Sequence, residues 1–218
     1  MVAKINVLLV DDHAVVRAGY KAYLSLSEKI GEIFEADSGE VASQIFTLHN
    51  PDVIVMDLSM PGIGGFEAIR RMILRDPACK ILVFSIHNEL VYVNRAIKAG
   101  VKGYICKSSS PDILVTAVSK IAQGQTYIDP SLVQEFAVFN VTDRGDSERI
   151  NLLSQREFDV FCLLASGNST HQVAEKLCIA YKTACNHSTS IKEKMGVKSL
   201  SELTLIATRL GIITSLQD

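Results

Sequence analysis

Five polar side chains in the first half of the chain each follow a short apolar run. Asp11-Asp12 follow Ile5–Val10, Asp57 follows Val53–Met56, Ser85 follows Ile81–Phe84, and Lys107 follows Gly103–Ile105 after Cys106 alone. Three carboxylates brought together repel one another and call for a divalent cation. An all-oxygen set suits Mg²⁺, which keeps several waters and leaves room for a phosphoryl oxygen. A carboxylate beside such an ion is a nucleophile toward phosphorus and yields an acyl phosphate. A neighbouring ammonium and hydroxyl then stabilise the added negative charge.

The elements that must position these groups are legible as an alternation. Between the apolar runs, together with a further one at Ile33–Ala36, lie segments of helical period. They include Ala14, Val15, Ala18 and Ala22; Phe66, Ile69 and Ile73; Val93 and Ile97; and Ile113, Ala117 and Ile121. Runs such as Val53-Ile54-Val55-Met56 are apolar at every position, as strands covered on both faces are. Strand and helix alternating five times predict a doubly wound, flavodoxin-like, five-stranded parallel sheet over residues 1–125. In that architecture the working site lies at the carboxyl ends of the strands, where all five polar groups fall.

Val7-Leu8-Leu9-Val10-Asp11-Asp12-His13, Asp57-Leu58-Ser59-Met60-Pro61-Gly62, Ser85, and Gly103-Tyr104-Ile105-Cys106-Lys107 together resemble the receiver domain of bacterial two-component response regulators. The resemblance implies that Asp57 is the phosphoacceptor and that Asp11, Asp12, Asp57 and the Ser59 carbonyl hold Mg²⁺. It also implies that Lys107 pairs with the phosphoryl group and that Ser85 and Tyr104 form the switch, Tyr104 swinging toward space that Ser85 vacates. Ser108 follows the lysine where many receivers have proline. Gly62-Ile63-Gly64-Gly65 lacks the Lys-Ser/Thr of a P-loop and is expected to be a tight loop beside Asp57. Magnesium disfavours imidazole, so His13 is expected to start a helix or face a partner.

Composition bounds the remainder. The chain has 218 residues, 48% apolar and 21% charged, with a net charge of −2, which excludes both a strongly basic nucleic-acid coat and an acidic disordered chain. Its five cysteines include no C-x-x-C pair, a usage that predicts reduced thiols. No apolar run approaches the ~18–20 residues of a membrane span, and Met1–Val10 runs into Asp11-Asp12 without a cleavage site. The expected location is the cytoplasm. Residues 126–148 hold one basic and five acidic side chains and include Asp129-Pro130 and Thr142-Asp143-Arg144-Gly145-Asp146-Ser147, which predicts a linker.

Residues 149–218 read as helix only. Ser154-Gln155-Arg156-Glu157, Ser169-Thr170-His171-Gln172 and Ser199-Leu200-Ser201-Glu202 have the pattern of capping boxes, and a third helix is expected from about Lys182 to Met195, stopped by Gly196. Four short helices, the second and third joined by a tight turn, predict an all-α helix-turn-helix domain. On the third helix Ala184, Ile191 and Met195 should pack inward. Lys182, Thr183, Asn186, His187 and Ser190 share the other side and are phosphate- and base-contacting types, although a plain solvated face would look the same.

Leu153-Ser154-x-Arg156-Glu157, Val173-Ala174-x-x-Leu177-x-Ile179, Lys182-Thr183 and His187 resemble the LuxR-type helix-turn-helix. Joined to a receiver, this is the architecture of the NarL/FixJ family. Ala180, Ala184 and Cys185 depart from the family pattern. The resemblance implies a non-enzymatic regulator, apart from its own phosphoryl transfer and dephosphorylation. It further implies that a sensor histidine kinase phosphorylates the chain and that it then binds promoter DNA as a homodimer, with RNA polymerase as a further expected partner. The apolar stripe Leu203, Ile206 and Leu210 on the last helix is the expected dimer face. The alternative is a receiver that controls a helical module docking another protein. An enzyme effector is set aside, because residues 126–218 offer only His171 and His187 without a paired acid or metal spacing.

Overall fold

The computed structural model describes residues 4–142 and 145–213, the side chains of 138–142 excepted. The chain divides into two compact units, the first built mainly from residues up to Gln134 and the second mainly from Glu135 onward.

The first unit is a parallel sheet with helices on both faces. Its elements are β1 (Ile5–Val10), α1 (Ala14–Ser25), β2 (Ile30–Ala36), α2 (Gly39–His49), β3 (Val53–Met56), α3 (Gly64–Arg75), β4 (Ile81–Ser85), α4 (Leu90–Ala99), β5 (Gly103–Cys106), α5 (Pro111–Ala122) and β6 (Tyr127–Ile128). The strand order is β2-β1-β3-β4-β5-β6, and every pairing is parallel. β3, β4 and β5 are buried at every position, which is why they appear in the sequence as unbroken apolar runs. The order reverses between β1 and β3, so their carboxyl ends open the crevice in which such sheets bind ligands.

Two expectations need correction here. The sheet has six strands rather than five, because Tyr127–Ile128 adds a short edge beside β5. The stripe chosen for α1 is also the wrong one. Ala14, Ala18 and Ala22 are exposed, and Val15 is 87% exposed. The helix instead turns Tyr20 and Leu24 toward the sheet. Leu24 is fully buried, and the Tyr20 ring meets Phe84 edge-on at 4.5 Å. Both sets have helical spacing, and the bulkier one wins because burial stabilises in proportion to apolar area.

The segment read as a linker is structured. After β6, α6 (Pro130–Thr142) and α7 (Gly145–Ile150) occupy most of 126–148, while Asp143-Arg144 lie outside the described residues. Asp129-Pro130 is the start of a helix rather than a turn. The Asp129 carboxylate accepts the Ser131 N–H at 3.0 Å, and proline takes the first helical position.

The second unit continues with α8 (Gln155–Ala165), α9 (Thr170–Lys176), α10 (Tyr181–Met195) and α11 (Leu200–Arg209). α7 belongs with these four, through Ile150 in the core and an Arg209–Asp146 ion pair at 2.8 Å. Full capping boxes open α8 and α9. At α11 only half of the expected box forms. Ser199 accepts the Glu202 N–H, but the Glu202 carboxylate turns to the Lys198 N–H and the Ser199 hydroxyl. The turn between α9 and α10 places Cys178 at φ 51°, a left-handed conformation that costs a non-glycine residue about 1 kcal/mol.

Leu203, Ile206 and Leu210, expected as the dimer face, are instead 0%, 4% and 4% exposed. They fill the core of their own unit against α8. The apolar side chains that α11 leaves in solvent are Leu200 and Leu205.

Candidate functional site: an acidic crevice and a helix-turn-helix

The crevice collects what the sequence analysis assigned to it. Asp11 and Asp57, at the ends of neighbouring strands, are each 2% exposed. Lys107 Nζ lies 2.7 Å from an oxygen of each and bridges them. Burial works against the lysine charge, but hydrogen bonds to Asp11 and Asp57 outweigh it and raise the Lys107 pKa. The other Asp57 oxygen accepts the Ser59 N–H at 3.2 Å, and Asp11 Oδ1 accepts the His13 N–H at 2.8 Å. Arg17 Nη1 donates to the Asp11 carbonyl, which fixes the end of β1.

Asp12 carries the group that remains to be satisfied. Its Oδ1 is buried and makes no hydrogen bond among the described residues, and His13 Nδ1 lies at an ion-pair distance of 3.1 Å from that same oxygen. Asp11, Asp12 and His13 bring their ligand atoms within 4.8 Å of one another. A hard cation fits this oxygen-rich corner. Unsatisfied Asp12 Oδ1, Asp11, Asp57 and the main chain at Ser59 are the groups that would hold Mg²⁺. His13 immediately precedes α1, as expected of a helix-starting residue.

Ser85 ends β4, fully buried, and its hydroxyl accepts the His87 N–H at 3.2 Å. Tyr104 departs from expectation: it is already inside. It is fully buried, and its hydroxyl donates to the His87 carbonyl at 2.7 Å, so no inward swing remains for it to make. His87, which the sequence analysis passed over, joins several parts of the crevice. Its Nε2 is 2.9 Å from the Ser59 hydroxyl, and its ring stacks on Tyr92 of α4 at 4.0 Å. A histidine two residues past a strand end carries no sequence signal of such contacts.

The glycine-rich segment packs closely against the backbone that carries Asp57. A Cβ on Gly65 would lie 2.0 Å from the Asp57 carbonyl oxygen and 2.7 Å from Leu58 Cα, both backbone atoms. Gly65→Ala is therefore expected to displace the segment that carries Asp57 and to cost about 3 kcal/mol. Denaturant unfolding of the first unit would read this as a lowered midpoint, accompanied by loss of phosphoryl uptake.

In the second unit, Ala184, Ile191 and Met195 are fully buried as expected. Lys182, Thr183 and Asn186 are exposed, and His187 is half-buried on the same helix. Ser190 does not join them, because its hydroxyl donates to Glu157 Oε1 at 2.6 Å. Glu157, 5% exposed, also pairs with Lys194 at 2.6 Å and closes the α8 capping box. Burial pushes its pKa up, but Lys194, Ser190 and Ser154 prevail and hold it at about 2. His171 and Tyr181 stack at 3.9 Å where α9 and α10 begin, a pairing no sequence pattern announces.

Residues 7–119 match the response regulator receiver domain, and residues 151–207 match the bacterial regulatory proteins of the luxR family. The chain belongs to the NarL/FixJ family of response regulators. It is 36% identical over 209 residues to the transcriptional activator protein ExaE of Pseudomonas putida, spanning 95% of this chain and 98% of that one. It is also 36% identical to the oxygen regulatory protein NreC of Staphylococcus epidermidis, over 95% and 99% of the two chains. A LuxR-family two-component response regulator from Aurantimonas superposes with a TM-score of 0.61 at 36% identity, over 64% of this chain and 99% of that one. RcsB of Salmonella enterica serovar Typhimurium, solved bound to a promoter with the phosphomimetic BeF₃⁻, shares the fold at a TM-score of 0.67 and 23% identity. That match covers 95% of this response regulator and all of the RcsB chain. No described helix of this response regulator is long and apolar enough to cross a membrane.

Proposed function

We propose that this response regulator is a phosphorylation-controlled transcription factor acting in the cytoplasm. A sensor histidine kinase phosphorylates it on Asp57, and it binds promoter DNA as a dimer. The observation that carries the reading is the Lys107 bridge between two buried carboxylates, next to an unsatisfied Asp12 oxygen, in a chain that also leaves Lys182, Thr183 and Asn186 of α10 exposed.

In the transfer, an Asp57 carboxylate oxygen attacks phosphorus. The bond from phosphorus to the kinase histidine nitrogen breaks as the acyl phosphate forms. Mg²⁺, when bound, supplies positive charge to the phosphoryl oxygens. Lys107 is held 2.7 Å from Asp57 and needs little movement to pair with the new anion. The Ser85 hydroxyl turns toward the phosphoryl group and leaves the His87 N–H, which shifts the loop that Tyr104 and Tyr92 hold. That shift is the two-state event that reaches the rest of the protein. The receiver catalyses only its own phosphoryl transfer and dephosphorylation.

On the output side, Lys182 supplies a phosphate contact and Asn186 can pair bidentately with adenine. A two-fold dimer sets its reading helices about 34 Å apart. With Leu203, Ile206 and Leu210 committed to the core, Leu200 and Leu205 are the exposed apolar residues of α11 available to a second copy. RNA polymerase is the partner such a complex would recruit or block.

Selection of sheared genomic DNA on the purified protein with Mg²⁺, with and without beryllofluoride, tests the scheme. Inverted repeats enriched only with beryllofluoride are the expected result. Equal enrichment in both arms would remove phosphorylation as the control, and no enrichment in either would favour the docking-module reading. Lys182→Ala with Asn186→Ala should lower promoter affinity by about a hundredfold and leave unfolding unchanged, as fluorescence anisotropy and circular dichroism would show.

A further inference from the structure

Asp129 lies between β6 and α6 with its carboxylate 1% exposed. The carboxylate is met by four donors from two places. Oδ2 accepts the Cys106 N–H at 3.1 Å and the Ser109 hydroxyl at 2.5 Å. Oδ1 accepts the Ser131 N–H at 3.0 Å and the Ser131 hydroxyl at 2.7 Å. Asp129 itself donates its N–H to the Tyr104 carbonyl at 2.8 Å. Burying a carboxylate is costly unless it is fully hydrogen-bonded, and this one is.

A simple helix cap would need only the Ser131 N–H and would leave its second oxygen to water. Here the second oxygen turns back into the loop that carries Lys107. Cys106 and Ser109 flank that lysine on either side, and the Lys107 N–H donates to the Ser85 carbonyl at 2.7 Å. One oxygen of Asp129 is therefore fastened to the ledge on which both phosphoryl-sensing side chains stand. The other is fastened to the first turn of α6, and the boundary between the two compact units falls within that helix, at Gln134–Glu135.

We propose that Asp129 is a positioning residue that transmits the state of the Lys107 loop to helix α6. The proposal rests on the reading of Asp57 and Lys107 as the phosphorylation switch. When Lys107 exchanges carboxylate partners for phosphoryl oxygens, its loop must adjust. Cys106 and Ser109 then pull on Oδ2, and the rigid carboxylate passes the displacement to Ser131. Two oxygens on one planar group move together, which two separate water-mediated contacts would not.

The test uses the full chain and three forms: wild type, Asp129→Ser and Ser109→Ala. Serine at 129 still caps α6 but is too short to reach the loop, and Ser109→Ala removes one loop donor and leaves the cap intact. Hydrogen exchange is followed at residues 103–109 and 130–137 with Mg²⁺, with and without beryllofluoride. Phosphoryl uptake from acetyl phosphate is measured alongside. In the wild type, beryllofluoride should change exchange at both places by about tenfold. In Asp129→Ser the response at 103–109 and the phosphoryl uptake should persist, while the response at 130–137 falls below about twofold. Ser109→Ala should fall between the two. A wild-type response confined to 103–109, or variants that keep the full response at 130–137, would overturn the relay and leave Asp57 as phosphoacceptor. A wild type that responds at neither place would overturn both.

Discussion

Asp57→Asn is expected to reduce phosphoryl uptake from acetyl phosphate to background, a loss of at least about a hundredfold, and to abolish any effect of beryllofluoride on DNA binding. The amide has no negative oxygen to attack phosphorus or to help hold the cation. The substitution is otherwise mild, because asparagine keeps an acceptor for the Ser59 N–H and Lys107 keeps its 2.7 Å contact with Asp11. The fold should survive, so alkali- and hydroxylamine-labile label and unfolding should separate cleanly: the first lost, the second nearly unchanged. Label that persists in this variant would mean that another side chain accepts the phosphoryl group.

The second large effect concerns Glu157, which ties α8 to α10. Its carboxylate pairs with Lys194, accepts from Ser190 and closes the cap at Ser154. Its pKa is held at about 2, below the ordinary 4.5. Because the folded value is depressed, the contribution is fully present above about pH 5 and is lost as pH falls toward 2. At neutral pH this contribution is about 3 kcal/mol. Glu157→Ala should lower the melting temperature of the second unit by roughly 15 °C. The difference between wild type and Glu157→Gln should shrink steadily between pH 5 and pH 2. Exchange of amides 155–195 in the full chain reads this unit separately from the first. A difference independent of pH over that range would show that Glu157 acts through shape alone.

The receiver site was legible because the sheet is covered on both faces. Its inner strands have no polar positions to spare, so the first polar residue after each run marks a strand end. The helices were less legible for a related reason. α1 offers two stripes of helical spacing, and the sequence does not say that Tyr20 and Leu24 outweigh Ala18 and Ala22 until Phe84 is in view. The apolar residues of α11 read as an interface because nothing in the sequence shows α8 waiting to cover them. Ser190 reads in the sequence as one more polar residue of the expected DNA-contacting face because its partner lies 33 residues away. The signal at Asp129-Pro130 was present but admitted two meanings, a turn or a helix start. A donor set gathered from Cys106, Ser109 and Ser131 decides between them, and it exists only once β6 has joined the sheet.

On the proposed reading of α10 as the DNA-contacting helix, the tether between Ser190 and Glu157 also limits how much sequence that helix can read. With the C-terminal half of α10 fastened to α8, only the first turns, at Lys182, Thr183, Asn186 and His187, remain to meet base edges. Such a helix would specify about three base pairs, and the symmetric pair of the proposed dimer about six, a pattern that recurs by chance roughly every 4,000 positions. A bacterial chromosome of some millions of base pairs would hold on the order of a thousand such matches. Promoter choice must therefore draw on spacing between half-sites, on DNA deformability and on neighbouring dimers. On that reading the effective vocabulary of this regulator would be set as much by the architecture of its promoters as by its own side chains.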